Sequence, residues 1–167
     1  MPRRLLLIRH AQAAAASPDR DRPLTDLGRT AAAAIGAWLR DSGRVPDRVL
    51  VSPALRAQQT WAAAAESLGA EPAPTVDQRI YDNTVASVLE LIGEVPDDVG
   101  TLAVVGHNPS IGELALTLDD GAGDEPARRA LHGGFPAGAV AMFGLASSFA
   151  DLGPGAATLE DFTVPGA

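Results

Sequence analysis

The 167-residue sequence contains no cysteine. It also contains no lysine, and all 13 of its Lys-or-Arg positions are arginine. Without cysteine, the chain has no disulfide, no thiolate nucleophile and no cysteine-ligated zinc or iron–sulfur centre. Without lysine, it has neither a Schiff-base amine nor the lysine of a phosphate-binding P-loop. Any catalysis by this chain therefore depends on histidine, arginine, carboxylate and hydroxyl side chains.

Basic residues are also outnumbered, since 21 acidic residues give a formal net charge of −8. This balance disfavours nucleic acid as a partner, because binding to a phosphate backbone needs a clustered basic surface. No apolar run approaches the roughly 20 residues of a membrane span. The run Leu5 to Ile8 is also shorter than the core of a signal peptide, which has about 7–15 residues. We therefore expect a cytoplasmic protein with no membrane partner.

The length suits one domain that spans residues 1–167. Short runs rich in Leu, Ile and Val alternate with segments of helical periodicity, which predicts an α/β fold. The predicted strands are 4–9, 48–51, a short one near Val76, 101–105, 139–145 and 157–163. The predicted helices are 25–41, 53–68, 84–93 and 110–118, with Thr25 as an N-cap and Gly43 as a stop signal. Residues 119–126 are predicted to form an acidic loop.

Chemically useful side chains follow three of the predicted strands at the point where each strand ends. Arg9 and His10 close the first strand, and His107 follows the strand at 101–105. Arg56 lies in the first turn of the helix that follows the strand at 48–51. Ligands of an open α/β sheet bind at the carboxyl ends of its strands. We therefore expect these four residues to converge on one site.

Two predicted helix starts share a pattern in which a capping residue precedes a proline, namely Ser52–Pro53 and Asn108–Pro109. A helix N-terminus offers free N–H groups and a partial positive charge to an anion. With two arginines and two histidines nearby, the predicted site favours an anion such as phosphate. Taken singly, these residues have ordinary structural roles: Ser52 is predicted as a helix cap and His132 as a surface or turn residue.

This set of residues predicts phosphoryl transfer to histidine. One ring nitrogen of His10 would attack phosphorus and form a phosphohistidine intermediate, which water would then hydrolyse. Arg9, Arg56 and His107 would hold the phosphoryl oxygens, since a planar guanidinium binds two oxygens and keeps its charge. No metal or other cofactor is expected, because the guanidinium groups take that role. The two arginines disfavour an alternative in which His10, His107 and a nearby aspartate bind a metal ion.

Four sequence blocks together carry a family resemblance. They are RHA at 9–11, DRDRPLTDLG at 19–28, SPALRAQQT at 52–60 and GHNPSIGELA at 106–115. In this order they resemble the histidine phosphatase superfamily, also called phosphoglycerate-mutase-like, and they are most similar to its bacterial phosphohistidine phosphatase branch. The resemblance implies a three-layer α/β/α sandwich with a mostly parallel sheet. It also implies that Arg9, His10, Arg56 and His107 form the catalytic core, with His10 as the nucleophile.

Two positions depart from the family pattern. Ala11 stands where the family usually has glycine, and the block QRIYDNT at 78–84 lacks the glutamate that many members use as a proton donor. Asp82 is a candidate acid in its place, and Asp19 or Asp21 from the first loop could substitute. An alcohol leaving group needs such an acid, whereas the imidazole of a phosphohistidine leaves more readily. The missing glutamate therefore favours a substrate with a P–N bond.

The segments that follow the first predicted strand and His107 are short, which also bears on the kind of substrate. Only residues 10–24 separate the first predicted strand from the first predicted helix, and no long insertion follows His107. Without a segment that encloses a small metabolite, the site is expected to be shallow and accessible to a phosphohistidine on a protein. We therefore predict a metal-independent phosphatase of protein phosphohistidine. The alternatives are a phosphatase of small phosphate monoesters with the same site and a non-catalytic module that binds phosphorylated protein.

Overall fold

The computed structural model describes residues 2–69 and 72–167, which include a six-stranded sheet in the order β3-β2-β4-β1-β5-β6. The strands are β1 (Arg3–Arg9), β2 (Arg48–Val51), β3 (Thr75–Val76), β4 (Thr101–Gly106), β5 (Val140–Leu145) and β6 (Ala157–Thr163). The first four strands of this order are parallel, and β5 and β6 extend the sheet as antiparallel strands. The sheet is therefore mostly parallel, and β6 lies at its edge as the sequence predicts.

Within the described residues, six α-helices cover the two faces of the sheet. They are α1 (Asp26–Ser42), α2 (Leu55–Leu68), α3 (Gln78–Asp82), α4 (Val85–Gly93), α5 (Ser110–Leu118) and α6 (Glu125–His132). Side chains alternate between the faces along β1: Leu6 and Ile8 pack with α1 and α2, whereas Leu5 and Leu7 pack with α4, α5 and α6. The three-layer α/β/α architecture is thus confirmed. No helix in the described parts of the chain is long and apolar enough to cross a membrane.

The ends of α1 follow local signals in the sequence. The Thr25 side chain accepts a hydrogen bond from the backbone N–H of Gly28 at 3.0 Å, which satisfies one of the free donors of the first turn. Gly43 ends the helix with φ of 69°, a left-handed conformation that glycine adopts without strain. Both residues therefore act as predicted, and the helix begins and ends within one residue of the predicted bounds.

Other boundaries differ from the prediction. α2 begins at Leu55 rather than Pro53, and its N-cap residue is Ala54 rather than the predicted Ser52. The predicted acidic loop is shorter than 119–126, since α6 begins at Glu125 behind an Asp124 N-cap. His132 consequently lies at the last position of a helix rather than in a loop. The short helix α3 was also absent from the predicted elements.

Candidate active site

The two buried histidines follow neighbouring strands of the sheet. β1 and β4 pair in parallel up to Arg9 and Gly106, and the backbone N–H of His10 donates to the carbonyl oxygen of Gly106 at 3.0 Å. His107 is the next residue after β4, and the ring centroids of the two histidines lie 5.2 Å apart. The strand register thus places both imidazoles at the carboxyl edge of the sheet.

His10 is held as a neutral imidazole of defined tautomer. Its Nδ1 lies 2.7 Å from the carbonyl oxygen of Ala11, and since a carbonyl only accepts, Nδ1 carries the proton. Burial lowers the pKa of His10 to about 4, and the positive charges of Arg56 and Arg9 also lower it, against the opposing effect of the Ala11 hydrogen bond. At neutral pH the free lone pair therefore belongs to Nε2, as a nitrogen nucleophile requires.

His107 is fixed by Ser52, which follows β2. The Ser52 Oγ lies 2.7 Å from Nε2 of His107 and accepts from the backbone N–H of Ala54 at 3.2 Å. If the hydroxyl donates its proton to Nε2, the ring proton of His107 lies on Nδ1. The pKa of His107 is lowered to about 3, mainly by burial and further by the charges of His10 and Arg56. Ser52 therefore orients a catalytic candidate and is not placed as a nucleophile.

Two arginines bring positive charge to the same edge of the sheet. Arg56 is only 7% exposed and donates from Nη1 to the carbonyl oxygen of Asp19 at 2.9 Å and from Nη2 to its Oδ2 at 3.1 Å. Arg9 donates from Nη1 to the carbonyl oxygen of Phe135 at 3.0 Å. The hydrogen bonds from these arginines to other residues come from the terminal nitrogens, which are Nη1 in Arg9 and both Nη1 and Nη2 in Arg56. The side of the guanidinium that carries the Nε–H is the Nε edge, and in both arginines its Nε has no hydrogen-bond partner among the described residues.

Three buried nitrogens in this region have no hydrogen-bond partner within the described residues. They are Nε of Arg9, Nε of Arg56 and Nδ1 of His107. A buried N–H donor without an acceptor is unfavourable, and a native structure rarely leaves several together without a reason. The two arginine Nε atoms are donors, and Nδ1 of His107 is a third donor in the tautomer that carries its proton there, so an oxyanion would supply the missing acceptors. The donor set fits a phosphoryl group, which is what the sequence predicts for these residues.

The helix N-termini contribute less than the sequence suggests. α5 begins at Ser110, one residue after Pro109, and the Ser110 N–H donates to Oδ1 of Asn83 at 3.1 Å. The Gly112 N–H donates to Oδ1 of Asn108, also at 3.1 Å. Side chains thus already satisfy N–H groups that the prediction left free for an anion. The prediction of free N–H groups at the start of α5 is therefore wrong for these two residues, and the positive charge of the site resides mainly on arginine.

The three candidate proton donors occupy different surroundings. Asp19 reaches the site, but hydrogen bonds from Tyr81 and then from Arg56 and Arg22 lower the pKa of its carboxyl to about 2. It is therefore ionised at neutral pH and accepts hydrogen bonds rather than giving a proton. Asp82 is exposed at the end of α3, where its Oδ1 accepts from Nε2 of Gln78 at 3.1 Å, and Asp21 is also exposed.

Tyr81, the single tyrosine of the chain, is a site residue that sequence reasoning missed. Its hydroxyl donates to Oδ2 of Asp19 at 2.8 Å, and its ring meets the His107 ring edge-on with centroids 5.8 Å apart. The guanidinium of Arg20 lies 5.3 Å from the centre of the same ring. No local pattern marks Tyr81, because its partners come from distant segments. It sits in the block 78–84, in which Asp82 was the only residue predicted to act in the site.

The metal-binding alternative requires a cluster of ligands around His10 and His107. The described residues contain no group of three or more histidine, aspartate or glutamate side chains that could hold a metal ion. The carboxylate that contacts Arg56, that of Asp19, also accepts hydrogen bonds from Arg22 and Tyr81. The arrangement of these side chains therefore suits an anion better than a cation.

The lowered pKa values of the two histidines predict a loss of stability in mild acid. The unfolded chain protonates both rings as pH falls below about 6.5, whereas the folded chain resists protonation until about pH 4 for His10 and about pH 3 for His107. The free energy of unfolding should therefore fall between pH 7 and pH 5, by about 2 kcal/mol for each ring.

Urea unfolding at pH 7 and pH 5 measures this effect. We expect His107→Gln to show a smaller loss between the two pH values than the wild type. His132→Gln serves as the control, because the side chain of His132 is 55% exposed. An equal loss in the wild type and in His107→Gln would contradict the assignment of a buried neutral ring.

Comparisons with known proteins identify the family of this chain. A family model of the histidine phosphatase superfamily (branch 1) matches residues 5–83, which include His10, Arg9 and Arg56. An uncharacterized protein of Mycobacterium tuberculosis (strain H37Rv) is 37% identical over 161 residues, which cover 95% of this chain and 99% of the relative. The chain belongs to the histidine phosphatase superfamily.

Within this superfamily the chain is similar to SixA proteins. The phosphohistidine phosphatase SixA of Escherichia coli (strain K12) is 31% identical over 122 residues, which cover 70% of this chain and 74% of SixA. The solved structure of a putative phosphohistidine phosphatase SixA from Nakamurella multipartitia superposes with a TM-score of 0.84 at 34% identity, covering 98% of this chain and 96% of that one. The bacterial phosphohistidine phosphatase branch, which the sequence blocks indicate, is thereby supported.

Proposed function

We propose that this protein hydrolyses phosphohistidine on a protein substrate, through a covalent phosphohistidine intermediate at His10. The observation that carries the proposal is the state of His10. Its ring is neutral, its Nδ1 proton is bound by the Ala11 carbonyl, and its Nε2 lone pair is free. A buried histidine in this state is a nucleophile that needs no base to activate it.

The arginines account for the charge of the transferred group. In the transition state the negative charge spreads over the equatorial phosphoryl oxygens, and fixed donors around them lower the barrier. Arg9 and Arg56 can each bind oxygens through the unoccupied Nε edge, and His107 can donate from Nδ1. These groups are fixed before the substrate arrives, so little reorganisation is needed during the reaction. The positive charge that some phosphatases obtain from a metal ion is thus available from two guanidinium groups.

A P–N substrate fits the protonation states of the site. His10 Nε2 forms the new N–P bond while the P–N bond of the substrate breaks, and the electron pair of that bond stays on the departing imidazole. If the other nitrogen of the substrate ring is protonated, the leaving group departs as neutral imidazole, and no acid is required. Water then attacks phosphorus, the His10–P bond breaks, and dihydrogen phosphate and neutral His10 result.

An alcohol leaving group would be harder to expel from this site. An alkoxide needs a proton as its bond to phosphorus breaks, and this step commonly requires a general acid. Asp19, whose carboxylate contacts Arg56 and Arg22, is ionised at neutral pH and has no proton to give. The similarity to SixA, whose name states phosphohistidine as its substrate, supports the same substrate class. We therefore place phosphohistidine above a phosphate monoester.

A comparison of two substrates in the presence of EDTA tests this function. We expect kcat/KM for a phosphohistidine peptide to exceed that for the matched phosphoserine peptide by at least about a hundredfold, since expulsion of the serine alkoxide lacks the ~10²-fold or greater assistance of a general acid. EDTA should leave both rates unchanged. Initial rates of phosphate release at matched enzyme concentration provide the measurement.

The other results identify the alternatives. Similar kcat/KM values for both substrates would favour a general monoester phosphatase. Binding of the phosphopeptide without phosphate release would favour a non-catalytic module. Loss of activity in EDTA that returns with a divalent metal would contradict the role given to the arginines.

A further inference from the structure

We propose that Asp19 is a positioning residue, which holds the end of the Arg56 guanidinium so that its Nε edge faces the phosphoryl group. The proposal rests on the proposed function only in taking a phosphoryl group as the ligand. It gives Asp19 a role other than the proton donor considered from the sequence. The residue touches Arg56 rather than the reacting atoms.

The contact between Asp19 and Arg56 is a two-point contact. The main-chain oxygen of Asp19 accepts from Nη1 at 2.9 Å, and its Oδ2 accepts from Nη2 at 3.1 Å. Nη1 and Nη2 form the outer end of the guanidinium, and two parallel bonds at that end fix its rotation as well as its position. Nε and the second hydrogen of Nη2 then remain as a second pair of donors along the side of the group.

Asp19 is itself held firmly enough to act as a fixed support. The Tyr81 hydroxyl donates to Oδ2 at 2.8 Å, and Arg22 donates from Nη1 to Oδ1 at 3.3 Å. Arg22 is tied in turn to the carbonyl oxygen of Ala14 through its Nε at 3.1 Å. Side chains from two separate segments therefore fix both carboxylate oxygens. A carboxylate that only neutralised charge would not need this number of defined contacts.

Two roles of Asp19 predict opposite results. If Asp19 merely occupies the anion site, its removal leaves Arg56 with more unscreened positive charge and strengthens anion binding, as Coulomb's law requires. If Asp19 positions Arg56, removal of its side chain allows the guanidinium to rotate and weakens anion binding. The sign of the change therefore distinguishes the two roles.

Calorimetric titration of the full-length protein with tungstate, a tetrahedral oxyanion, tests the proposal. We expect Asp19→Ala to weaken tungstate binding about tenfold, since small misplacements of a binding group cause losses up to about 10²-fold. Asp19→Asn keeps an acceptor oxygen for Nη2 without the charge and should bind tungstate about as well as the wild type. Asp21→Ala is the matched control, because Asp21 lies in the same exposed turn and changes the net charge equally.

Kinetics provide a second measurement of the same role. With a phosphohistidine peptide, Asp19→Ala should lower kcat more than it raises KM, because oriented donors act mainly in the transition state. Asp19→Asn should restore most of kcat. Urea unfolding of each variant shows whether the fold is retained, and the half-exposed side chain of Asp19 makes a large loss of stability unexpected.

The outcomes separate this proposal from the proposed function. Equal or tighter tungstate binding by Asp19→Ala would overturn the positioning role and leave the function intact. Asp19→Asn binding as weakly as Asp19→Ala would overturn the argument from hydrogen-bond geometry. A wild-type protein that does not bind tungstate would overturn both proposals, because the arginine edges would then not form an oxyanion site.

Discussion

His10→Gln is expected to lower kcat for a phosphohistidine peptide by at least about 10⁴-fold, as removal of a nucleophile does in enzymes that use covalent catalysis. Glutamine is close to histidine in size and keeps polar atoms in the buried position, but its amide nitrogen has no lone pair free to attack phosphorus. The oxyanion donors of Arg9, Arg56 and His107 remain. We therefore expect His10→Gln to bind tungstate and yet to release almost no phosphate.

A trapping experiment adds a direct measurement to the rate. Brief incubation of the wild type with ³²P-labelled phosphohistidine peptide, followed by an alkaline quench, should leave an acid-labile label on His10, whereas His10→Gln should carry none. His132→Gln is the control, because this histidine is exposed and lies at the end of α6. Near-normal turnover by His10→Gln, or a label on another residue, would contradict the assignment of the nucleophile.

Arg56→Lys is expected to lower kcat/KM by about a thousandfold, although the charge is unchanged. An arginine that stabilises a transferring phosphoryl group contributes about 10³–10⁵-fold in kcat, and much of this depends on the planar pair of donors. Lysine has one ammonium group, which cannot bind the end of Asp19 and two phosphoryl oxygens together. Steady-state rates with the phosphohistidine peptide measure the loss.

The control for this substitution is Arg129→Lys, since the side chain of Arg129 is 75% exposed in α6. It should retain wild-type kcat/KM. Urea unfolding of Arg56→Lys shows whether the buried position still folds. If kcat/KM of a folded Arg56→Lys variant fell tenfold or less, positive charge alone would suffice at this position. The planar pair of guanidinium donors would then have no role in the reaction.

Much of the site follows from the sequence because it depends on strand ends. Arg9, His10 and His107 lie at or just after the ends of two strands. In a parallel sheet the carboxyl ends of the strands lie at the same edge, so such residues come to that edge independently of the loop conformations. The order of strands could not be read from alternation alone, so the sequence left open which strands are neighbours. The structure then shows β1 and β4 as neighbours.

The contacts of Asp19 could not be predicted in this way. Asp19 meets Arg56 and Tyr81, which lie 37 and 62 positions further along the chain, and no local pattern connects the three. The same applies to Asn83, whose left-handed backbone, with φ of 65°, accompanies a hydrogen bond to the start of α5. The helix α6 was missed because half of its eight residues are polar and it follows a segment rich in glycine and aspartate.

The central place of β1 in the sheet also affects how the chain folds. β1 lies between β4 and β5, so its hydrogen bonds join Arg4 to the region of Thr101 and Ile8 to the region of Val140. The backbone N–H of Gly138 also donates to the carbonyl oxygen of His10 at 3.1 Å. Contacts between such distant segments form late and slow folding. The surroundings of His10 are therefore complete only when β4 and β5, which come from distant parts of the chain, have paired with β1.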